Sequence, residues 1–208
     1  MKIILGSTSP RRRDLLQSLR LPFEVIAPQQ EEQRRPGEDV MDYVRRNGRE
    51  KAASVLEVFQ QRPDRADPVC IISADTVVLL DDQLLEKPRD EADACRMLAG
   101  LSGRLHRVAT AVTLLVSGRK GEPHLESFTC TTEVLLKDLN EEEIRAYVGT
   151  GEPLDKAGSY AIQGLGDYMV SRIQGSWSNV VGLPLAELCD ALRAVTGLEV
   201  PGKEPVSL

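Results

Sequence analysis

Three arginines in succession, Arg11, Arg12 and Arg13, follow Ser7-Thr8-Ser9-Pro10. Ser9 before Pro10 reads as the cap and first residue of a helix, so the arginines fall in its first turn. There the positive end of the helix dipole disfavours a cation by a few tenths to ~1 kcal/mol. A capped helix with a solvated basic face fits the local sequence but gives no reason for that placement. A bound polyanion does. Exposed backbone N–H groups, the hydroxyls of Ser7 and Ser9 and the guanidinium forks would hold phosphate together. The spacing of a P-loop is absent.

Carboxylates supply the second kind of chemistry. Asp75 stands in Ser73-Ala74-Asp75-Thr76, at the far end of the apolar run Val69–Ile72. Ligands in open α/β sheets bind beyond the carboxyl ends of strands, so Asp75 and the serine-arginine turn could share one crevice. Glu86-Lys87-Pro88 follows an expected hairpin, and proline biases Lys87 toward extended backbone. Glu31-Glu32 form an acidic pair in a loop, and Lys51 lies within a helix. By pattern alone these last three cannot be told from solvated charge. The stretch Asp155–Gly166 is dense in glycine and small residues, which let a backbone approach something closely. Within it Gln163, between Ile162 and Gly164, is suited to reading the edge of a base.

The elements that must position these groups alternate strand and helix. Strands are expected at 2–6, 23–26 and 69–80, the last turning at Asp81-Asp82-Gln83 into Leu84-Leu85. Two longer strands, at 105–117 and 126–137, flank a loop at 118–123. Helices are expected from Pro10 to about Arg20 and at about 39–60, 91–99, 141–148 and 184–196. Asn140 caps the fourth, whose first turn holds Glu141, Glu142 and Glu143. The Gly-rich region 149–182 is expected to contain short strands. Residues 1–197 form one domain, and 198–208 read as a flexible tail.

Composition narrows the class. A chain of 208 residues with net charge −6 and few aromatics does not offer the basic, aromatic-interleaved surface of a nucleic-acid-binding module. No stretch resembles a membrane span or signal peptide. The four scattered cysteines, Cys70, Cys95, Cys130 and Cys189, read as reduced thiols of a cytoplasmic protein. With only two histidines, a zinc site is disfavoured and any metal must be held by oxygen ligands.

Taken together the segments resemble the Maf family of nucleotide pyrophosphatases. The matching stretches are LGSTSPRR at 5–12, EEQR at 31–34, EKA at 50–52, SADTVV at 73–78, LEKPRD at 85–90, LSG at 101–103, EPLDKAGSYAIQGLG at 152–166 and NVVGLPL at 179–185. The resemblance implies a single mixed α/β domain of two lobes around a deep nucleotide-binding cleft, and it allows a homodimer. It also implies hydrolysis of a nucleoside triphosphate between the α- and β-phosphates. Asp75 matches the family's proton acceptor and Glu32 its second acidic position. Ser7, Arg12, Lys51 and Lys87 match phosphate-contacting positions. Arg11, Thr76 and Gln163 match the three positions that set base preference, in a pattern similar to the subgroup cleaving dTTP and UTP. A related subgroup prefers 7-methyl-GTP and carries a different set. Arg13 has no counterpart role. For the triphosphate that the resemblance implies, Mg²⁺ or Mn²⁺ held by Glu32, Asp75 and phosphate oxygens is the natural choice, and Asp75 could serve as base, as metal ligand or as both. A non-catalytic nucleotide sensor acting in cell division would keep the basic turn but could dispense with Asp75 and Glu32.

Overall fold

The structure is a computed structural model that describes residues 1–30, 32–63, 68–118 and 123–200. Glu31, residues 119–122 of the expected loop and residues 201–208 of the expected tail lie outside the described residues.

Seven strands form one mixed sheet: β1 (Lys2–Leu5), β2 (Glu24–Val25), β3 (Val69–Leu80), β4 (Gln83–Leu85), β5 (Leu105–Ser117), β6 (His124–Leu136) and β7 (Val170–Gln174). Their order is β2-β1-β3-β5-β6-β7, with β4 paired to β3 off that path. β1 runs parallel to both β2 and β3, while β4 on β3 and β7 on β6 are antiparallel. The helices are α1 (Pro10–Ser18), α2 (Val40–Gln60), α3 (Glu91–Leu101), α4 (Glu141–Val148), α5 (Trp177–Val181) and α6 (Leu185–Thr196). No helix of the described residues is long and apolar enough to cross a membrane.

The chain divides into two compact units. The first comprises Met1–Asp75, Ala111–Thr129 and Gly182–Leu208. Its core gathers Ile4, Ile26, Ala52, Val55, Phe59, Val69 and Ile71 from β1, α2 and β3 and the segment after β2. α2 begins because the Asp39 carboxylate accepts from the backbone N–H groups of Met41 and Asp42. Its buried face then repeats every four residues through Tyr43, Asn47, Lys51, Val55 and Phe59. Gly48 lets that face approach β5, since a Cβ there would stand 3.1 Å from Thr113 Oγ1. Ser73 Oγ donates to the Gly48 carbonyl at 2.6 Å, tying the helix to β3.

The second unit comprises Thr76–Thr110 and Cys130–Val181. Its core includes Val78, Leu98, Leu101, Val108, Val134, Ile144, Tyr147 and Met169. α4 carries the expected cap in full: Asn140 accepts from the Glu143 N–H, and the Glu143 carboxylate accepts from the Asn140 N–H. The region 149–182 is mostly not strand. Its one strand is β7, and 3-10 turns occupy Glu152–Asp155, Ala157–Ser159 and Leu165–Met169. Pro153 and the left-handed Gly151 and Gly158 favour tight turns over strand. α5 follows Ser176, whose hydroxyl accepts from the Asn179 N–H.

Buried His106 on β5 lies with Nε2 2.7 Å from Tyr160 Oη. Burial pushes its pKa down to about 4. The neutral ring is thus favoured on folding, so this contribution is complete above roughly pH 6.5, the unfolded value. It is lost as pH falls toward 4. Urea unfolding of His106→Gln should therefore lose less stability than wild type between pH 7 and pH 4.5, by on the order of 2 kcal/mol. Equal losses in the two proteins would show that His106 is not held neutral.

Candidate functional site

The first unit gathers seven of the expected residues on the turn before α1, α1 itself, α2, β3 and the loop before α2. At the start of α1, the Arg12 N–H donates to Ser9 Oγ at 3.4 Å, and the Ser9 N–H donates to Ser7 Oγ at 3.2 Å. Both hydroxyls are thus drawn to the helix entrance, as the capping pattern implies. The Arg12 side chain is only half-buried. Its Nε donates to the Gly182 carbonyl at 2.9 Å, and Nη1 lies 3.5 Å from Ser7 Oγ. Burial lowers the pKa of the guanidinium, against the charges of Asp75 and Glu32, which raise it, while Arg11 adds to the lowering. Both carboxylates and both arginines are thus electrostatic neighbours.

The centre of the arrangement is Lys51. Its Nζ lies 2.6 Å from Asp75 Oδ1 and 2.8 Å from Glu32 Oε1. The lysine and aspartate side chains are 5% and 9% exposed, so this is a buried ion pair, with Glu32 at its wetter rim. Such a pair is weak evidence for stability, because desolvation offsets much of the Coulomb gain. Asn47, one turn before Lys51, donates from Nδ2 to Asp75 Oδ2 at 3.1 Å. Both oxygens of Asp75 are therefore held by α2. Sequence reasoning did not single out Asn47, although it shares with Lys51 the four-residue repeat of the buried face.

No group of three or more His, Cys, Asp and Glu side chains suited to a metal occurs among the described residues. Glu32 and Asp75 nevertheless converge on one ammonium and offer hard oxygen donors. That pair fits a Mg²⁺- or Mn²⁺-like ion whose other positions are filled by phosphate oxygens and water.

Thr76, Lys87 and Gln163 belong to the second unit. Thr76 is half-buried on β3, with Oγ1 2.9 Å from Thr110 Oγ1. Lys87 is exposed just after β4, and Gln163 is exposed between two 3-10 turns. The glycines around Gln163 serve close packing within the protein. A Cβ on Gly158 would stand 2.9 Å from Val78 Cγ1, and the Gly158 N–H donates to the Glu86 carbonyl at 3.2 Å. The Glu152 carboxylate accepts from the N–H groups of Leu165 and Gly166, both at 3.0 Å. The segment with Gln163 is thereby anchored at both ends.

Residues 2–195 match the family described as Maf-like protein. The chain belongs to that family. A dTTP/UTP pyrophosphatase of Vibrio cholerae is 48% identical over 186 residues, covering 89% of this chain and 94% of that one. Relatives of the same name from Geobacter sp. strain M21 and Methylococcus capsulatus are 44% and 46% identical. They cover 94% and 93% of this chain and 96% and 90% of their own. A nucleoside-triphosphatase, dITP/XTP pyrophosphatase, of Mycobacterium abscessus aligns over 96% of this chain and 98% of its own. Its TM-score is 0.39 at 14% identity, too loose a likeness to bear on function.

Proposed function

We propose that this Maf-family chain hydrolyses the α–β phosphoanhydride of nucleoside triphosphates, with dTTP and UTP as preferred substrates. The observation that carries this is the buried Lys51–Asp75 pair, with Glu32 on the same ammonium and Arg12 coupled to both carboxylates. The name shared by relatives at 44–48% identity supports the choice of base.

Asp75 accepts the proton of the attacking water as its oxygen bonds to phosphorus and the bond to the bridging oxygen breaks. Lys51 and Asn47 hold the two carboxylate oxygens, which fixes the direction in which Asp75 can accept. Each oxygen keeps a lone pair for the water. Arg12 and Lys51 neutralise phosphate oxygens, with Ser7, Ser9 and the N-terminal amides of α1 as further donors. We assign Lys87 to the same anion, and Arg11, Thr76 and Gln163 to the base. A divalent ion held by Glu32 and Asp75 would supply charge for the leaving pyrophosphate. The cytoplasm is the proposed compartment, supported by four cysteines outside any disulfide.

Phosphorus NMR of the products tests the reaction. One pyrophosphate per monophosphate is expected, with activity abolished by chelation and restored by Mg²⁺. Nucleoside diphosphate with orthophosphate would overturn the α–β assignment, and full activity in chelator would remove the metal.

Two substitutions separate binding from folding. Lys87→Ala should weaken turnover of triphosphate while leaving thermal unfolding unchanged, because an exposed cation contributes little stability. Arg12→Ala should weaken turnover too, but its bond to the Gly182 carbonyl gives it a structural task. A loss of roughly 0.5–1.5 kcal/mol in stability is expected there. Unchanged kinetics in both variants would take the two cations out of the phosphate site.

A further inference from the structure

We propose that Thr110 fixes the Thr76 hydroxyl as a hydrogen-bond acceptor, so that Thr76 selects bases presenting an N–H edge. The inference deepens the reading of Thr76 as a base-contacting residue and rests on it. Thymine and uracil carry a proton on ring nitrogen N3, whereas cytosine offers a lone pair at that position.

Thr110 is fully buried on β5, and its Oγ1 donates to the backbone carbonyl of Asn179 at 3.2 Å. A carbonyl cannot donate, so the single hydroxyl proton of Thr110 lies on that bond. Thr76 Oγ1 stands 2.9 Å from Thr110 Oγ1, a distance at which two hydroxyl oxygens need a proton between them. Only Thr76 can supply it. Toward any further group Thr76 Oγ1 therefore turns lone pairs.

The relay is held at its far end. Asn179 is fully buried, and its Nδ2 donates to the Val108 carbonyl and to Thr132 Oγ1, both at 3.0 Å. Thr132 Oγ1 donates in turn to the Ser176 carbonyl at 3.2 Å and accepts from the Ser176 N–H at 3.1 Å. The Asn179 carbonyl is thus fixed in place, and with it the direction Thr76 to Thr110 to Asn179. A base with N3–H meets an acceptor. Cytosine sets one lone pair against another and leaves both unpaired, which in a hydrogen-bonding site lowers kcat/KM on the order of tenfold or more.

The test is the ratio of kcat/KM for UTP to that for CTP in wild type, Thr110→Val, Thr110→Ser and Thr76→Val. Thr110→Val removes the acceptor, lets the Thr76 hydroxyl rotate to donate, and should narrow the ratio about tenfold, chiefly by improving CTP. Thr110→Ser keeps the relay and should keep the wild-type ratio. Thr110→Ala removes the same hydroxyl with different packing and stands in should the valine variant not fold. If Thr76→Val shifts the ratio while Thr110→Val and Thr110→Ala leave it unchanged, the relay is overturned and base contact by Thr76 survives. If Thr76→Val also leaves the ratio unchanged, base contact by Thr76 falls and takes the relay with it.

Discussion

Asp75→Asn is expected to lower turnover on dTTP by roughly 10²–10⁴, the range for removing a general base. The substitution keeps size and shape but takes away the anionic oxygen that either a base or a metal contact needs. It also leaves the nearly buried Lys51 ammonium with Glu32 as its remaining carboxylate partner among the described residues, and Glu32 is 48% exposed. Breaking a buried pair by removing one partner destabilises by up to about 3–5 kcal/mol. The retained Glu32 contact should keep the loss toward the low end. The two effects must therefore be read apart. Turnover is measured well below the unfolding midpoint, alongside circular dichroism of the variant at the assay temperature. A folded Asn variant with more than half the wild-type turnover would show that Asp75 is not the catalytic acid/base. Lost stability with intact turnover would leave it only a structural partner of Lys51.

Gln163→Glu should depress kcat/KM for dTTP at least tenfold, and by more than it depresses any slow purine activity. Gln163 offers a donor and an acceptor, a set that can match the O2, N3–H and O4 edge shared by thymine and uracil. The glutamate removes the donor and turns a negative charge toward a carbonyl oxygen of the base. An unpaired group in a hydrogen-bonding site costs ~1–3 kcal/mol, and a charge-on-acceptor contact adds to that. Gln163 is exposed, so the change should leave thermal unfolding nearly untouched. Steady-state kinetics on dTTP and GTP, with unfolding midpoints, decide the matter. Equal depression of both substrates would mean that Gln163 does not read the base.

The elements that carry these residues were legible where one local signal dominates. The apolar run at 69–80 became β3, Ser9-Pro10 capped α1, and Asn140 with Glu143 capped α4. α5 was missed because five residues give no helical periodicity, leaving the Ser176 cap as its main signal. Of the short strands expected within 149–182 only β7 formed, and 3-10 turns took much of the rest because glycine and proline there serve tight turning. Lys51 carries a further signal in its spacing. Tyr43, Asn47, Lys51, Val55 and Phe59 recur every four residues, so an apolar stripe on α2 runs through a lysine and an asparagine. A lysine on a buried face requires a carboxylate partner, and an asparagine one turn away can share it. That Asp75 is the partner depends on a contact 24 residues away in sequence, which periodicity does not report. Two lobes were implied by the resemblance, but where the two units divide was equally hidden, because the boundary falls inside β3, β5 and β6 and leaves no linker.

The central claim is that this chain is a pyrophosphatase selective for thymine and uracil nucleotides. Its most direct test is kcat/KM for dTTP, UTP, CTP, ATP, GTP and 7-methyl-GTP with Mg²⁺, following released pyrophosphate. The expected result places dTTP and UTP first and close together, with ATP, GTP and 7-methyl-GTP at least tenfold lower, as a hydrogen-bonding base site demands. A preference for 7-methyl-GTP, or no pyrophosphate from any of the six, would contradict it.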